Sequence, residues 1–375
     1  MGRLNKVWLL ALCMATSLTH AEIVIGQSAP LTGLAATYSR HLSNGAKAYF
    51  NWLNKQGGIN GEQVKFVVYD DGNEFPRVLA NTTKLINQDK AVALMGYFSA
   101  DGTASVISRR WLDGASIPLV GVTSSTRSVR EPGSKFVFHT RAGQREEVAK
   151  LISQMKRLGI NKIGVFYQDD QFGQDGLAAA EAEAKSAGVS IAARASYPAN
   201  TVKVDTAAKR IADSNVPAVL MISITKPTGA FIKALRAQGS GASLYQTSTV
   251  DFEELVKDVG AKAVHGLAIA QVYPYVFDDQ NKLIKEFRTV LASHAPEATP
   301  AGYAALEGYI TAKLVSDAIA KAGKGATRAK VYAMLESMSD ADIGGGYRVS
   351  YSGTDRSGSK FVDLTIVNQR GELSR

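Results

Sequence analysis

The feature that most constrains this chain is a repeated alternation. From Glu22 onward, a short β-branched run, a turn and an amphipathic stretch of helical period recur again and again. Strand expectations fall at Glu22–Gly26, Val64–Tyr69, Ala91–Gly96, Ile117–Val122 and Phe136–Thr140. A second series follows at Lys162–Tyr167, Val189–Ala193, Ala218–Ser223, Ser243–Thr247 and Val264–Val272. Helices are expected between them, among others at Asn44–Gln56, Arg77–Gln88, Gln144–Leu158, Gly176–Ala187, Val204–Ser214 and Thr228–Gln238. Strands alternating with helices of that length predict parallel sheets covered on both faces. Two series of similar design in 375 residues predict two α/β lobes. The remainder reads as helices at Ala301–Ala322 and Lys330–Met338, then strands at Tyr347–Tyr351 and Phe361–Val367. Material left over after two complete lobes must return to them, so several crossings between lobes are expected.

The first residues follow a different pattern. Arg3 and Lys6 precede an apolar run from Val7 to Leu18, and Thr19-His20-Ala21 offers a small residue for cleavage. This is the layout of a secretory signal peptide, and the run is too short for a membrane span. Cleavage is expected after Ala21, giving an exported, soluble product. The only cysteine, Cys13, lies inside that run behind the bulky Leu12, so a lipid anchor is not favoured. The processed chain then has neither disulfide nor thiolate chemistry.

Catalytic signatures are missing. No dinucleotide fingerprint, phosphate loop or nucleophile elbow occurs, and the turn after the first strand reads Gly26-Gln27-Ser28-Ala29-Pro30. S-x-x-K recurs at Ser153–Lys156, Ser223–Lys226 and Ser357–Lys360 without companion motifs. His41, His139, His265 and His294 show no i, i+4 pairing of metal ligands. The adjacent acids Asp70-Asp71, Asp169-Asp170 and Asp278-Asp279 point to opposite sides of an extended segment, which suits turns better than acid–base work. No enzyme, cofactor or metal is expected. The net charge of +9 is scattered, with its densest pairs at Arg109-Arg110, Lys156-Arg157 and Lys209-Arg210. It lacks the clustering with aromatics that a nucleic-acid face needs.

The turns instead suit a small ligand. Gly96-Tyr97-Phe98-Ser99-Ala100-Asp101-Gly102-Thr103 follows the third strand, and Gly121-Val122-Thr123-Ser124-Ser125-Thr126 follows the fourth. Small and hydroxyl residues there expose backbone N–H groups and side-chain donors where open α/β sheets bind ligands. The same residue types also serve as helix caps.

Taken together, these segments resemble the type I periplasmic solute-binding family, in its branched-chain amino-acid (Leu/Ile/Val) branch. The resemblance runs through Pro30-Leu31-Thr32-Gly33, Tyr38, Gly45-Ala46, Gly57-Gly58-Ile59-Asn60-Gly61 and Tyr69-Asp70-Asp71. It continues through the Gly96 and Thr123-Ser124-Ser125 turns to Gln168-Asp169-Asp170-Gln171-Phe172-Gly173. It implies two Rossmann-like lobes joined by a three-crossing hinge, near Thr140, Tyr273 and Gly344. The lobes would be residues 22–140 plus 273–344 and residues 141–272 plus 345–375. It also implies a solute held in the cleft by hinge closure and passed to an ABC permease of the inner membrane by a monomeric periplasmic protein. The implied contacts are Tyr38, Ser99, Ala100, Thr123, Ser124 and Ser125 from the first lobe, and Phe172, Thr225 and Thr249 from the second. Where amino-acid binders place an acid for the ligand ammonium, this chain reads Thr247-Ser248-Thr249-Val250-Asp251, and Asp251 is the substitute. The solute is therefore expected to be an amino acid, a carboxylate or an amide. A sensor reporting to a membrane signalling protein is the competing expectation, and a secreted α/β enzyme a more distant one.

Overall fold

A computed structural model describes residues 22–131 and 133–375. The expected signal peptide and Cys13 lie outside the described residues. The first lobe is built from β1 (Glu22–Ala29), α1 (Ala36–Lys55), β2 (Gln63–Asp70), α2 (Phe75–Asn87), β3 (Ala93–Met95), α3 (Ala100–Ser108), α4 (Trp111–Ala115), β4 (Leu119–Val120), α5 (Arg127–Arg130) and β5 (Val137–Phe138). Its five strands run parallel in the order β2-β1-β3-β4-β5.

The second lobe comprises α6 (Gln144–Arg157), β6 (Lys162–Asp169), α7 (Gln171–Ala187), β7 (Ser190–Pro198), α8 (Asp205–Asp213), β8 (Ala218–Ile222), α9 (Thr225–Ala237), β9 (Ser243–Gln246), α10 (Phe252–Val259), α11 (Ala261–Val264) and β10 (Ala268–Gln271). Every residue of β8 is buried, as a strand covered by helices on both faces requires. The chain then returns to the first lobe with α12 (Lys282–His294), α13 (Tyr303–Ala322) and α14 (Arg328–Glu336), α12 and α13 both packing on α1. A hairpin of β11 (Ala341–Gly344) and β12 (Tyr347–Val349) touches α12 and α13 and straddles the expected third boundary. Finally β13 (Asp363–Val367) and β14 (Leu373–Ser374) complete the second sheet, in the order β14-β13-β10-β9-β8-β6-β7. Strands β10, β9, β8, β6 and β7 are parallel, whereas β13 runs antiparallel to β10 and β14 antiparallel to β13. A strand entering from the hinge side runs opposite to the parallel set, so the returning chain adds one antiparallel strand, β13, and β14 folds back along it.

Three segments cross between the lobes: residues 139–143, 272–281 and 350–362. Tyrosines tie them together. The Tyr347 hydroxyl lies 2.5 Å from Thr140 O and 3.2 Å from Val272 O, and the Tyr351 hydroxyl donates to His139 O at 2.8 Å. Beside them Arg141 is fully buried. Its guanidinium reaches Glu307 of α13 at 3.2 Å, Glu147 of α6 at 3.3 Å and the Ser248 hydroxyl. Burial opposes the charge, but Glu307 and Glu147 outweigh it and hold Arg141 well above the ordinary arginine range.

Candidate functional site

Both sheets direct the carboxyl ends of their strands toward one cleft, where ligands of open α/β sheets bind. On the first lobe, Gly96 and Gly121 take positive φ values of 63° and 65° at the ends of β3 and β4. A Cβ at Gly121 would lie 2.4 Å from the Thr311 side chain of α13. These turns release Ser99 and Thr123 toward the cleft. Ser99 caps α3, its Oγ accepting from Gly102 N at 3.2 Å. Thr123 N donates to Tyr97 O at 2.8 Å, which fixes the second turn against the first.

The loop from β2 to α2 is organised by Asp70. Its carboxylate accepts from Leu31 N at 2.8 Å, Thr32 Oγ1 at 2.8 Å, Gly72 N at 2.9 Å and Arg77 Nη2 at 2.8 Å. Burial pushes the carboxyl upward, but these donors prevail and bring it down to about 2. The loop so held carries Asn73–Pro76 to the cleft mouth.

On the second lobe, β6 ends at Gln168-Asp169-Asp170. Asp170 caps α7, accepting from Gly173 N at 3.0 Å and from Gln168 Nε2 at 2.5 Å. A Cβ at Gly173 would sit 1.7 Å from Gln168 O, so glycine is needed for the helix to turn this close. Phe172 is thereby aimed into the cleft, its carbonyl accepting from Gln144 Nε2 at 3.1 Å. Burial raises the Asp170 carboxyl above its ordinary value, and the negative charge of Asp101 across the cleft adds to the rise.

The result is a cavity of about 310 Å³ walled by both lobes. Of the residues expected from sequence, Ser99, Ala100, Thr123, Ser124, Phe172 and Thr249 line it. The other four do not. The Tyr38 hydroxyl donates to Glu307 Oε2 at 2.7 Å, and its ring packs 5.8 Å from Phe98, which does line the cavity. The Ser125 hydroxyl points to Glu147 at 3.5 Å, and Thr225 Oγ1 accepts from Asp251 N at 2.9 Å. Asp251 caps α10 by accepting from Glu254 N at 3.0 Å, and its other oxygen lies 2.6 Å from His41 Nδ1 of α1. The carboxylate assigned to a solute ammonium is thus committed to an interlobe pair.

Sequence reasoning missed Asn73, Phe75, Asp101, Asp170 and Asn200 as lining residues. Asp101 and Asp170 lie inside turns it had singled out. Asn73 and Asn200 follow the carboxyl ends of β2 and β7, the same rule that marked the other turns. A larger groove of about 970 Å³ lies behind the hinge, between residues 125–146, one face of α7 and residues 353–357. Its lining takes in β5 and the residue after it but no strand end of the second sheet, so volume alone does not identify the site.

Among the described residues no helix is long and apolar enough to cross a membrane, and no group of three or more His, Cys, Asp or Glu side chains could hold a metal ion. Comparison with known proteins gives the fold its context. Residues 22–371 match the family described as periplasmic binding protein. A substrate-binding periplasmic protein from Ralstonia solanacearum superposes with a TM-score of 0.89 at 32% identity, over 94% of this chain and 99% of that one. An extracellular ligand-binding receptor from Verminephrobacter eiseniae superposes at 0.88 with 28% identity, over 95% and 100%. An amino acid binding protein of Pseudomonas aeruginosa is 27% identical over 297 residues, 76% of this chain and 78% of that protein. With the matched family spanning nearly every described residue of both lobes and the hinge between them, the chain belongs to the periplasmic binding proteins, a family of solute receptors and not of enzymes.

Proposed function

We propose that this protein captures a small polar organic solute (an amino acid, carboxylate or amide) between its lobes and delivers it to an ABC permease of the inner membrane. One observation carries the reading. The cavity lies at the carboxyl ends of both sheets, and its lining comes from both lobes. A solute touching both walls binds the closed state better than the open one, which is the condition for driving closure. The name of the P. aeruginosa relative supports an amino-acid-like solute. In this reading Ser99, Ala100, Thr123 and Ser124 bind polar groups through hydroxyls and backbone N–H, Phe172 covers the solute, and Thr249 closes the far wall. Tyr38, Ser125, Thr225 and Asp251 hold those residues and the lobes in place. The protein acts as a monomer in the periplasm after cleavage behind Ala21.

Thermal unfolding of the purified protein against amino acids, their deaminated carboxylates and amides tests this. A solute at 100 times its dissociation constant stabilises by about 2.7 kcal/mol, a shift of a few degrees in a chain this long. The shift should shrink in Thr123→Val and Phe172→Ala. A solute whose stabilisation survives both substitutions binds elsewhere and overturns the cleft assignment.

A further inference from the structure

The walls of the cleft carry charge of one sign. Asp101 comes from the first turn of α3, Asp170 from the cap of α7, and Glu74 from the mouth, while among the described residues no lysine, arginine or histidine lines the cavity. Asp101 makes no hydrogen bond among the described residues. Asp170 spends one oxygen on Gly173 N and the other on Gln168, and each carboxylate oxygen retains a further lone pair. Aromatic rings stand beside the acids: half-buried Phe98 on one lobe and buried Phe172 on the other. A second, independent observation points to a ligand. Thr123 is 1% exposed and lines this cavity, yet its Oγ1 has no hydrogen-bond partner. A buried hydroxyl left so is costly unless something enters to meet it.

A bare carboxylate entering here would face three carboxylates with no basic side chain to offset them. An ammonium would find the reverse: opposite charge from each lobe, and ring faces that attract a cation. We propose that the cleft selects a solute carrying an organic cation, an alkyl- or arylammonium, clamped between Asp101 and Asp170 with Phe98 and Phe172 against its apolar substituents, while Thr123 Oγ1 takes a polar group of the same solute. This deepens the reading of the cleft as the solute site and rests on it. The charge-recognising role moves from Asp251, which His41 occupies, to one aspartate on each lobe. The clamp also couples charge to closure, because the cation meets both aspartates only when the lobes approach.

Calorimetric titration with matched probes tests the clamp: leucine against 4-methylpentanoate, 4-aminobutyrate against butyrate, and choline against its neutral carbon isostere 3,3-dimethylbutan-1-ol. The expected result is that at least one ammonium-bearing member binds and its partner does so much more weakly. Asp101→Asn and Asp170→Asn should each then weaken that cation about tenfold. Asparagine keeps the α7 cap, so both variants should fold, and circular dichroism checks that they do. Failure of every cationic probe to bind overturns the clamp. So does a partner lacking the ammonium that binds as tightly as its ammonium-bearing counterpart, or an ammonium-bearing probe whose affinity survives both Asp→Asn changes but falls in Thr123→Val; that last pattern leaves the cleft in place as the site. Binding unaffected by Thr123→Val and Phe172→Ala as well would remove the cleft reading itself.

Discussion

Two glycines set how closely the central helices of the first lobe approach. A Cβ on Gly45 of α1 would lie 1.9 Å from Ala305 O, and one on Gly308 of α13 would lie 1.8 Å from Leu42 O. Glycine inside a helix costs about 1 kcal/mol relative to alanine, so direct backbone contact accounts for both. Gly308→Ala should destabilise the protein by about 3 kcal/mol, because the obstacle is backbone and cannot rotate away. Urea unfolding measures it, and a loss under about 0.5 kcal/mol would mean the helices separate freely. The same scale shows why the site was partly legible. Thr123 and Ser124, singled out by strand-end turn chemistry that is local, line the cavity. Asp251, expected at the solute, lies outside the cavity lining and pairs with His41, 210 residues away, and no local pattern carries that distance.

Elements with strong local periodicity were legible, and those whose ends depend on partners were less so. Helix α1 starts at Ala36, eight residues before the expected Asn44, because its first turns are held from outside. Ser43 Oγ donates to Gln27 Oε1 at 2.7 Å, and Tyr38 is anchored on Glu307. Hydroxyl-rich sequence there reads as loop until those partners are known. The same early turns face the start of α10 across the cleft. Thr37 Oγ1 donates to Glu254 Oε1 at 2.9 Å beside the His41–Asp251 pair, while Lys226 pairs with Glu254 and Asp258. Burial disfavours the imidazolium of His41, but the Asp251 carboxylate, with Glu253 and Glu254 behind it, raises it above its ordinary value. A raised histidine binds its proton more tightly when folded, so its stabilisation is full below about pH 6.5, its unfolded value. That stabilisation fades as pH climbs through the raised value. The stability difference between the parent protein and His41→Gln should therefore be larger at pH 5.5 than at pH 8.5. Denaturant titrations at the two pH values check this, and a constant difference would mean the pair gains nothing from protonation.

At the scale of the whole molecule, residues that touch solute and residues that hold the lobes together make different predictions. Contacts span the cleft at sites outside the cavity: Thr37 to Glu254, His41 to Asp251, and Ser128 N to Asp175 Oδ2 at 3.0 Å. At the mouth, Asn73 Nδ2 donates to Asn200 Oδ1 at 3.0 Å. These bonds form between lobes and favour the closed arrangement whatever the solute is. The hinge supplies the fixed reference, since Tyr347 bonds two crossings at once and Arg141 joins its crossing to both lobes. Apparent affinity is the intrinsic affinity scaled by the closed fraction, so weakening an interlobe bond should act on every solute alike. Thr37→Val combined with Asp175→Ala removes two such bonds without altering a residue that lines the cavity. Each bond is worth about 0.5–1 kcal/mol, so losing both should raise dissociation constants roughly five- to thirtyfold. The ratio between any two solutes should stay unchanged, whereas Thr123→Val should alter that ratio. Calorimetry with two solutes of different affinity separates the cases, and a double variant that reorders the solutes would show that closure and recognition are not separable in this fold.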